Sequence, residues 1–280
     1  MLPPPRLRVG PSGWDYPQWQ GIVYPLRPPR RLHRLEYLSR YFDTVEIEST
    51  FRQPVRTEIS RLWLDRVKGN PRFQFTAVLG RQFTHERRLD AAEVSRFKEG
   101  LWPLHRAGRL GCLVLQFPWV FRFTVENREF LIQLRRAFHE FPMAAELRHR
   151  SWLAEEALGT LIDYRLGFVN IDQLDYTSAT PPTALLTTGV GYVRLHGRDP
   201  NYWVREFRAG TEDGGLDNYL YSPAELGQWR ERIQHVHAHA TSTFVIAANP
   251  AGGKSVVNAL QLSGLLDIAS GAETLHRAVA

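Results

Sequence analysis

Cysteine is almost missing from this chain. Cys112 is its single representative, which excludes an intrachain disulfide framework and a thiolate zinc site. It lies in the apolar run GCLVLQF, where a buried, inert thiol is expected rather than a nucleophile. Long apolar runs are missing too. No stretch reaches the ~18 apolar residues of a membrane span. The N-terminal MLPPPRLRVG lacks the apolar stretch of a signal peptide. A cytoplasmic protein without a membrane partner is therefore expected. Linkers, internal repeats and low-complexity tracts are also lacking, so residues 1–280 read as one domain. No H-E-x-x-H or comparable spacing marks a metal site.

Core-forming residues are plentiful: 43% of the chain is hydrophobic and 12% aromatic, unlike a disordered chain. The net charge is +6. That balance favours anionic partners, a small phosphorylated ligand or a nucleic acid, without deciding the fold.

Eight short β-like runs fall at about 7–13, 43–49, 73–79, 111–117, 143–149, 167–173, 191–197 and 242–249. Segments with helical spacing separate them, such as Ile59, Leu62, Trp63 and Val67, or Leu226, Trp229 and Ile233. Ser151 is placed to cap a helix over 153–165, and Ser222 with Pro223 and Glu225 starts the next. Eight strand–helix units in this length predict an α/β fold, a (β/α)8 TIM barrel. A doubly wound open sheet is the runner-up. Two connections, 174–190 and 198–221, exceed the usual two to six residues. The second carries three glycines and five aromatics, and reads either as a lid or as an insertion.

Several strands carry polar residues in alternation. In GYVRLHG, Val193 and Leu195 face one way, and Arg194 and His196 the other. Glu46 and Glu48, Glu146 and Arg148, and Asn170 and Asp172 behave alike, as do Gly10 and Ser12. Parallel strands between helices should be apolar on both faces. Polar residues near strand C-termini mark the end of a barrel where active sites sit. Ser12, Glu46, Glu48, Gln116, Glu146, Arg148, Asp172, Arg194 and His196 are thus candidates for one inward set. They form either a buried ion-pair network or a polar pocket.

Further candidates follow other strands. His85, His149 and His196, with Glu46, Glu146 and Asp172, could hold a divalent metal through N and O donors. A near-miss phosphate loop, Ala248-Asn-Pro-Ala-Gly-Gly-Lys254-Ser255, follows the last strand. Gly252 and Gly253 could offer free N–H groups to an anion there. Trp14, Tyr16, Trp19, Trp119, Trp152, Tyr202 and Trp203 follow strands as an aromatic rim, suited to stacking or to sealing the barrel end.

Together, VGPSGWDYPQW, FDTVEIESTF, FTHERRL, LGCLVLQFP, AELRHRSW, YVRLHGR and AANPAGGKSVVNALQL resemble the YecE-like family, a domain of unknown function numbered 72, over nearly the whole chain. The resemblance implies a TIM barrel and supplies no activity. Its pattern covers Ser12, Trp14, Glu46, His85, Gln116, Glu146, Arg148, Arg194, His196 and Asn249, among others. The chain departs from it at Glu48, Arg52, Val78 and Ala248, all at the presumed pocket.

The leading functional expectation is a hydrolase or lyase acting on a phosphorylated substrate. Glu46 or Glu146 would be the general base, His196 the general acid, and Arg148 with Arg194 the anion clamp. Ser12, Trp14, Glu48, His85, Gln116, Asp172, Asn249, Gly252 and Gly253 would contact substrate. Glycoside chemistry by Glu46 and Glu146 is a second expectation. A non-catalytic barrel binding nucleic acid or another ligand is the third.

Overall fold

The computed structural model describes residues 6–29, 32–209 and 217–268. Every expected β-like run carries a strand, and each strand stops slightly short of the expected end. In chain order the elements are β1 (Arg6–Pro11), α1 (Arg34–Leu38), β2 (Thr44–Ile47), α2 (Thr57–Arg66), β3 (Gln74–Val78), α3 (Arg81–Thr84), α4 (Ala91–Arg106) and β4 (Leu110–Gln116). There follow α5 (Val125–Ala137), β5 (Met143–Glu146), α6 (Glu155–Asp163), β6 (Gly167–Asp172), β7 (Val190–Leu195), α7 (Pro200–Ala209), α8 (Pro223–His239), β8 (Ser242–Ala247) and α9 (Lys254–Leu265).

All strand pairs are parallel, in the order β1-β8-β7-β6-β5-β4-β3-β2. The ends of this sheet meet at a bridge between Ser12 and Glu46, where the Gly13 N–H donates to the Glu46 carbonyl at 2.9 Å. The result is a nearly closed α/β TIM barrel, as the alternation of strands and helices predicts. Gly10 permits the closure. A Cβ at that position would run into the Thr44 carbonyl oxygen of β2.

Two apolar layers follow from strand parity. Cys112, Val114, Val169, Ile171, Tyr192, Phe244 and Ile246 cluster inside the barrel. Val193, Leu195 and Val245 join the larger core with helix residues such as Leu101, Leu131, Ile233 and Leu262. The Cys112 thiol is fully buried, and burial pushes its pKa up. Among the described residues, no helix is long and apolar enough to cross a membrane.

Local signals meet different fates. Ser222 caps α8 through a capping box with Glu225, as expected. Ser151 does not cap α6. A 3-10 turn over Arg150–Leu153 intervenes and Ala154 takes the cap position. Ser151 Oγ instead accepts the Phe123 N–H at 2.8 Å.

The long connections also resolve differently. Residues 174–189 contain no helix or strand and strap the end of β5. The Thr180 N–H donates to the Arg148 carbonyl at 2.9 Å, and Thr180 Oγ1 to the Leu147 carbonyl at 2.8 Å. The segment 198–221, read as a loop, contains α7. Its three glycines lie in 210–216, outside the described residues.

Candidate functional site

The C-terminal ends of the strands bring Glu46, Glu146, Arg148, Arg194 and His196 together inside the barrel mouth. Arg194 is the hub. Its Nη2 donates to Glu46 Oε1 at 2.9 Å and its Nη1 to Glu146 Oε2 at 2.7 Å. Nη1 also donates to Gln116 Oε1. Arg148 Nε donates to Glu146 Oε1 at 2.7 Å, and His196 Nε2 lies 3.0 Å from the same oxygen. Glu46 further accepts Ser12 Oγ at 2.7 Å and the Tyr192 hydroxyl at 2.8 Å. Both carboxylates are completely buried, and Arg194 is only 4% exposed.

Such burial is tolerable because the charges cancel and the oxygens are filled. Burial alone would raise the Glu146 carboxyl. His196, Arg194 and Arg148 overcome this and drive it well below the usual range. Burial alone would lower the Arg194 guanidinium, but Glu46 and Glu146 raise it. Trp203 of α7 roofs the network. The Arg148 guanidinium lies 5.3 Å from its ring centre, and the His196 ring meets it edge-on at 5.8 Å.

Above the network sits a cavity of about 50 Å³. Ser12, Gln116, Arg194 and His196 line its network side; Tyr16, Glu48, Arg52 and Asp217 also border it. The Tyr16 hydroxyl donates to Glu48 Oε2. Burial and the neighbouring Glu48 hold that phenol well above its usual pKa, so it stays protonated. Gly197 adopts φ +94°, and a side chain there would collide with the Asp217 carboxylate.

Other expected members lie elsewhere. Asp172 faces the outside of the barrel, because its strand presents Val169 and Ile171 inward. The register pairs Ile171 with Arg194 and Asp172 with Leu195, and paired neighbours share a face. Asp172 is instead held by Arg198, Nη2 to Oδ1 at 3.0 Å.

Asn249 is fully buried and braces the chain, donating to the Tyr219 carbonyl at 2.7 Å and to Asn258 Oδ1 at 2.9 Å. Gly252 and Gly253 do not border the cavity. The Gly253 N–H is used internally, donating to the Pro250 carbonyl at 3.1 Å.

His85 packs its ring against Phe51 and contacts Thr84 Oγ1 at 2.9 Å. His149 turns out of the barrel, its Nδ1 capping the turn at Ser151. Trp14 lines an adjacent groove rather than the cavity. Among the described residues, no three His, Cys, Asp or Glu side chains group as metal ligands. The expected clamp is likewise already occupied, since Arg148 and Arg194 both bind Glu146.

Tyr192 escaped the sequence reading, although its parity with Arg194 places it on the inward face. An aromatic side chain on a strand does not by itself mark a polar position. Tyr16 and Arg52 sit after strand ends, where alternation carries no signal.

Burial lowers the His196 ring to about 4, with Glu146 opposing and Arg194 adding to the fall. Burial, Arg148 and Arg81 lower His85 to about 4 as well. The unfolded chain takes protons at both rings near 6.5, the folded one only near 4. More protons on the unfolded state mean that stability is complete above about pH 6.5 and falls toward pH 4. Each such shift is worth about 3 kcal/mol at full titration. The Glu146 contribution is present above its usual 4.5 and is lost further down. Melting midpoints should therefore decline from pH 7 to pH 4.5. A flat profile would show that these histidines are not held neutral.

A profile of the family described as "Protein of unknown function DUF72" matches residues 8–278. UPF0759 protein YunF of Bacillus subtilis (strain 168) is 27% identical over 283 residues, covering 94% of this chain and 95% of that protein. A crystal structure of a DUF72 family protein from Thermotoga maritima MSB8 aligns with a TM-score of 0.77 at 28% identity, covering 93% of this chain and 99% of that one. One from Enterococcus faecalis V583 aligns with a TM-score of 0.79 at 21% identity, covering 94% and 96%, which supports the fold alone.

Proposed function

The chain belongs to the DUF72 family, and from that premise we propose an acid–base enzyme of hydrolase or lyase type, working on a small polar substrate at the barrel mouth. The observation that carries this reading is the contact between Glu146 and His196 in the wall of the cavity. A carboxylate on one ring nitrogen fixes the tautomer of the imidazole. With the Glu146 carboxylate 3.0 Å from Nε2, the ring proton in this reading sits on Nε2 and the lone pair is left on Nδ1. Burial holds the ring neutral, so His196 acts as a base rather than as the acid expected from sequence. The protonated Tyr16 hydroxyl, paired with Glu48 on the same cavity, is the group suited to return a proton.

The roles of the other charges change accordingly. Glu46 and Glu146 are poor bases, because arginine and other donors occupy their oxygens. They also grip the same Arg194 guanidinium, which leaves no room between them for the sugar ring that glycoside chemistry requires. The substrate's anionic group is met by Arg52, exposed at the cavity edge and without a side-chain ion pair among the described residues.

The protonation pattern supplies the test. In 15N-resolved imidazole spectra at pH 7, His196 should carry its proton on Nε2 only. A ring protonated on Nδ1, or one titrating near the ordinary 6.5, would remove the base from the proposal.

A further inference from the structure

The mouth cavity, at about 50 Å³, accepts only a small group. It shares a wall with a groove of about 660 Å³, a volume typical of small-molecule sites. Tyr16, Glu48 and Arg52 border both spaces. Beyond them the groove is walled by Trp14, Ile59, Leu62 and Trp63.

The two tryptophans meet edge to face, with centroids 5.1 Å apart and planes at 89°. Trp63 is buried and Trp14 half-buried, while Leu62 is 37% exposed. Other rim tryptophans are spent on packing: Trp19, Trp152 and Trp203 are completely buried. Two polar groups on the far rim are also engaged. Asp15 pairs with Arg34, and His33 Nδ1 caps α1. What the groove offers is an aromatic and aliphatic surface leading to the Arg52 cation, with the Glu48 carboxylate beside it engaged by the Tyr16 hydroxyl.

Building on the mouth as the reacting centre, we propose that the substrate is an anionic ester with a planar aromatic or heteroaromatic ring. The ring lies in the groove against Trp14, Ile59 and Leu62. The anionic group meets Arg52, and the reacting polar atoms reach His196. A flat apolar ring suits these walls because it buries area at little entropic cost. A hydrated sugar would forfeit hydrogen bonds there.

Calorimetric titration with phenyl phosphate, methyl phosphate and inorganic phosphate at constant ionic strength tests this assignment. Phenyl phosphate should bind about tenfold more tightly than methyl phosphate, the scale of one aromatic stack. Trp14→Ala and Leu62→Glu should each remove most of that ring preference. Arg52→Met should weaken all three ligands alike. Leu62 is exposed enough that its variant stays folded if Trp14→Ala does not. Equal binding of the two esters, a preference surviving both groove variants, or no binding of phenyl phosphate overturns the proposal. Repeating the titration with phenylphosphonate and methylphosphonate, whose C–P bonds are not hydrolysed, should give the same ring preference. That readout is binding without turnover, so the test stands or falls apart from the role of His196 as base.

Discussion

Replacing Arg194 with alanine should cost about 3–5 kcal/mol, the scale for breaking a buried ion pair. That is a large share of the ~5–15 kcal/mol by which proteins of this kind are stable. One guanidinium serves both Glu46 and Glu146, and both carboxylates are completely buried. Ser12 and Tyr192 would still donate to Glu46, and Arg148 to Glu146, but a negative charge would be left over in the barrel. Arg194→Met keeps the apolar stem and loses the charge, so it should be nearly as damaging. Adding Glu46→Gln to Arg194→Met should recover much of the loss, because it removes the surplus charge. Urea unfolding measures each step. Midpoints close to the parent in both single variants would mean that water, not Arg194, neutralises these carboxylates.

The second large effect concerns turnover. His196→Gln should lower any hydrolytic or lyase rate by about 10²–10⁴-fold, the usual contribution of a positioned general base. The fold should tolerate the change at pH 7. The ring is already neutral there, and the glutamine amide can donate to Glu146, whose Oε1 lies 3.0 Å from Nε2. The parent kcat/KM should fall on the acid side near pH 4, where His196 takes up its proton, and this limb should be absent from the residual activity of the variant. A variant that turns over at the parental rate, with the same acid limb, would assign the base to another group.

Much of the barrel can be read from the chain because alternation is a local property. A parallel strand between helices needs apolar residues on both faces, so Glu46, Glu146, Arg148, Arg194 and His196 stand out as violations. Each violation sits near a strand C-terminus, and the barrel then carries them all to one end. The same reasoning misplaced Asp172. FVNID alternates as cleanly as YVRLH, but its polar face lies outside, where Arg198 neutralises it. Gly252 and Gly253 also looked like a helix start open to an anion. The turn uses the Gly253 N–H itself.

The residues alone thus determined the number and order of strands, the pairing of faces within each strand, and the charged set at the mouth. These depend on side-chain periodicity, which is written within a few neighbouring positions. Tertiary structure decided which face of β6 turns inward, that both arginines are consumed by carboxylates, and that Arg52 and Trp14 border open space instead. Absolute facing is set by register with adjacent strands, as Ile171 beside Arg194 shows. Ion pairing is set by distances between residues as far apart in the chain as Glu46 and Arg194. Neither quantity has a local sequence signature, because both arise only when the sheet closes.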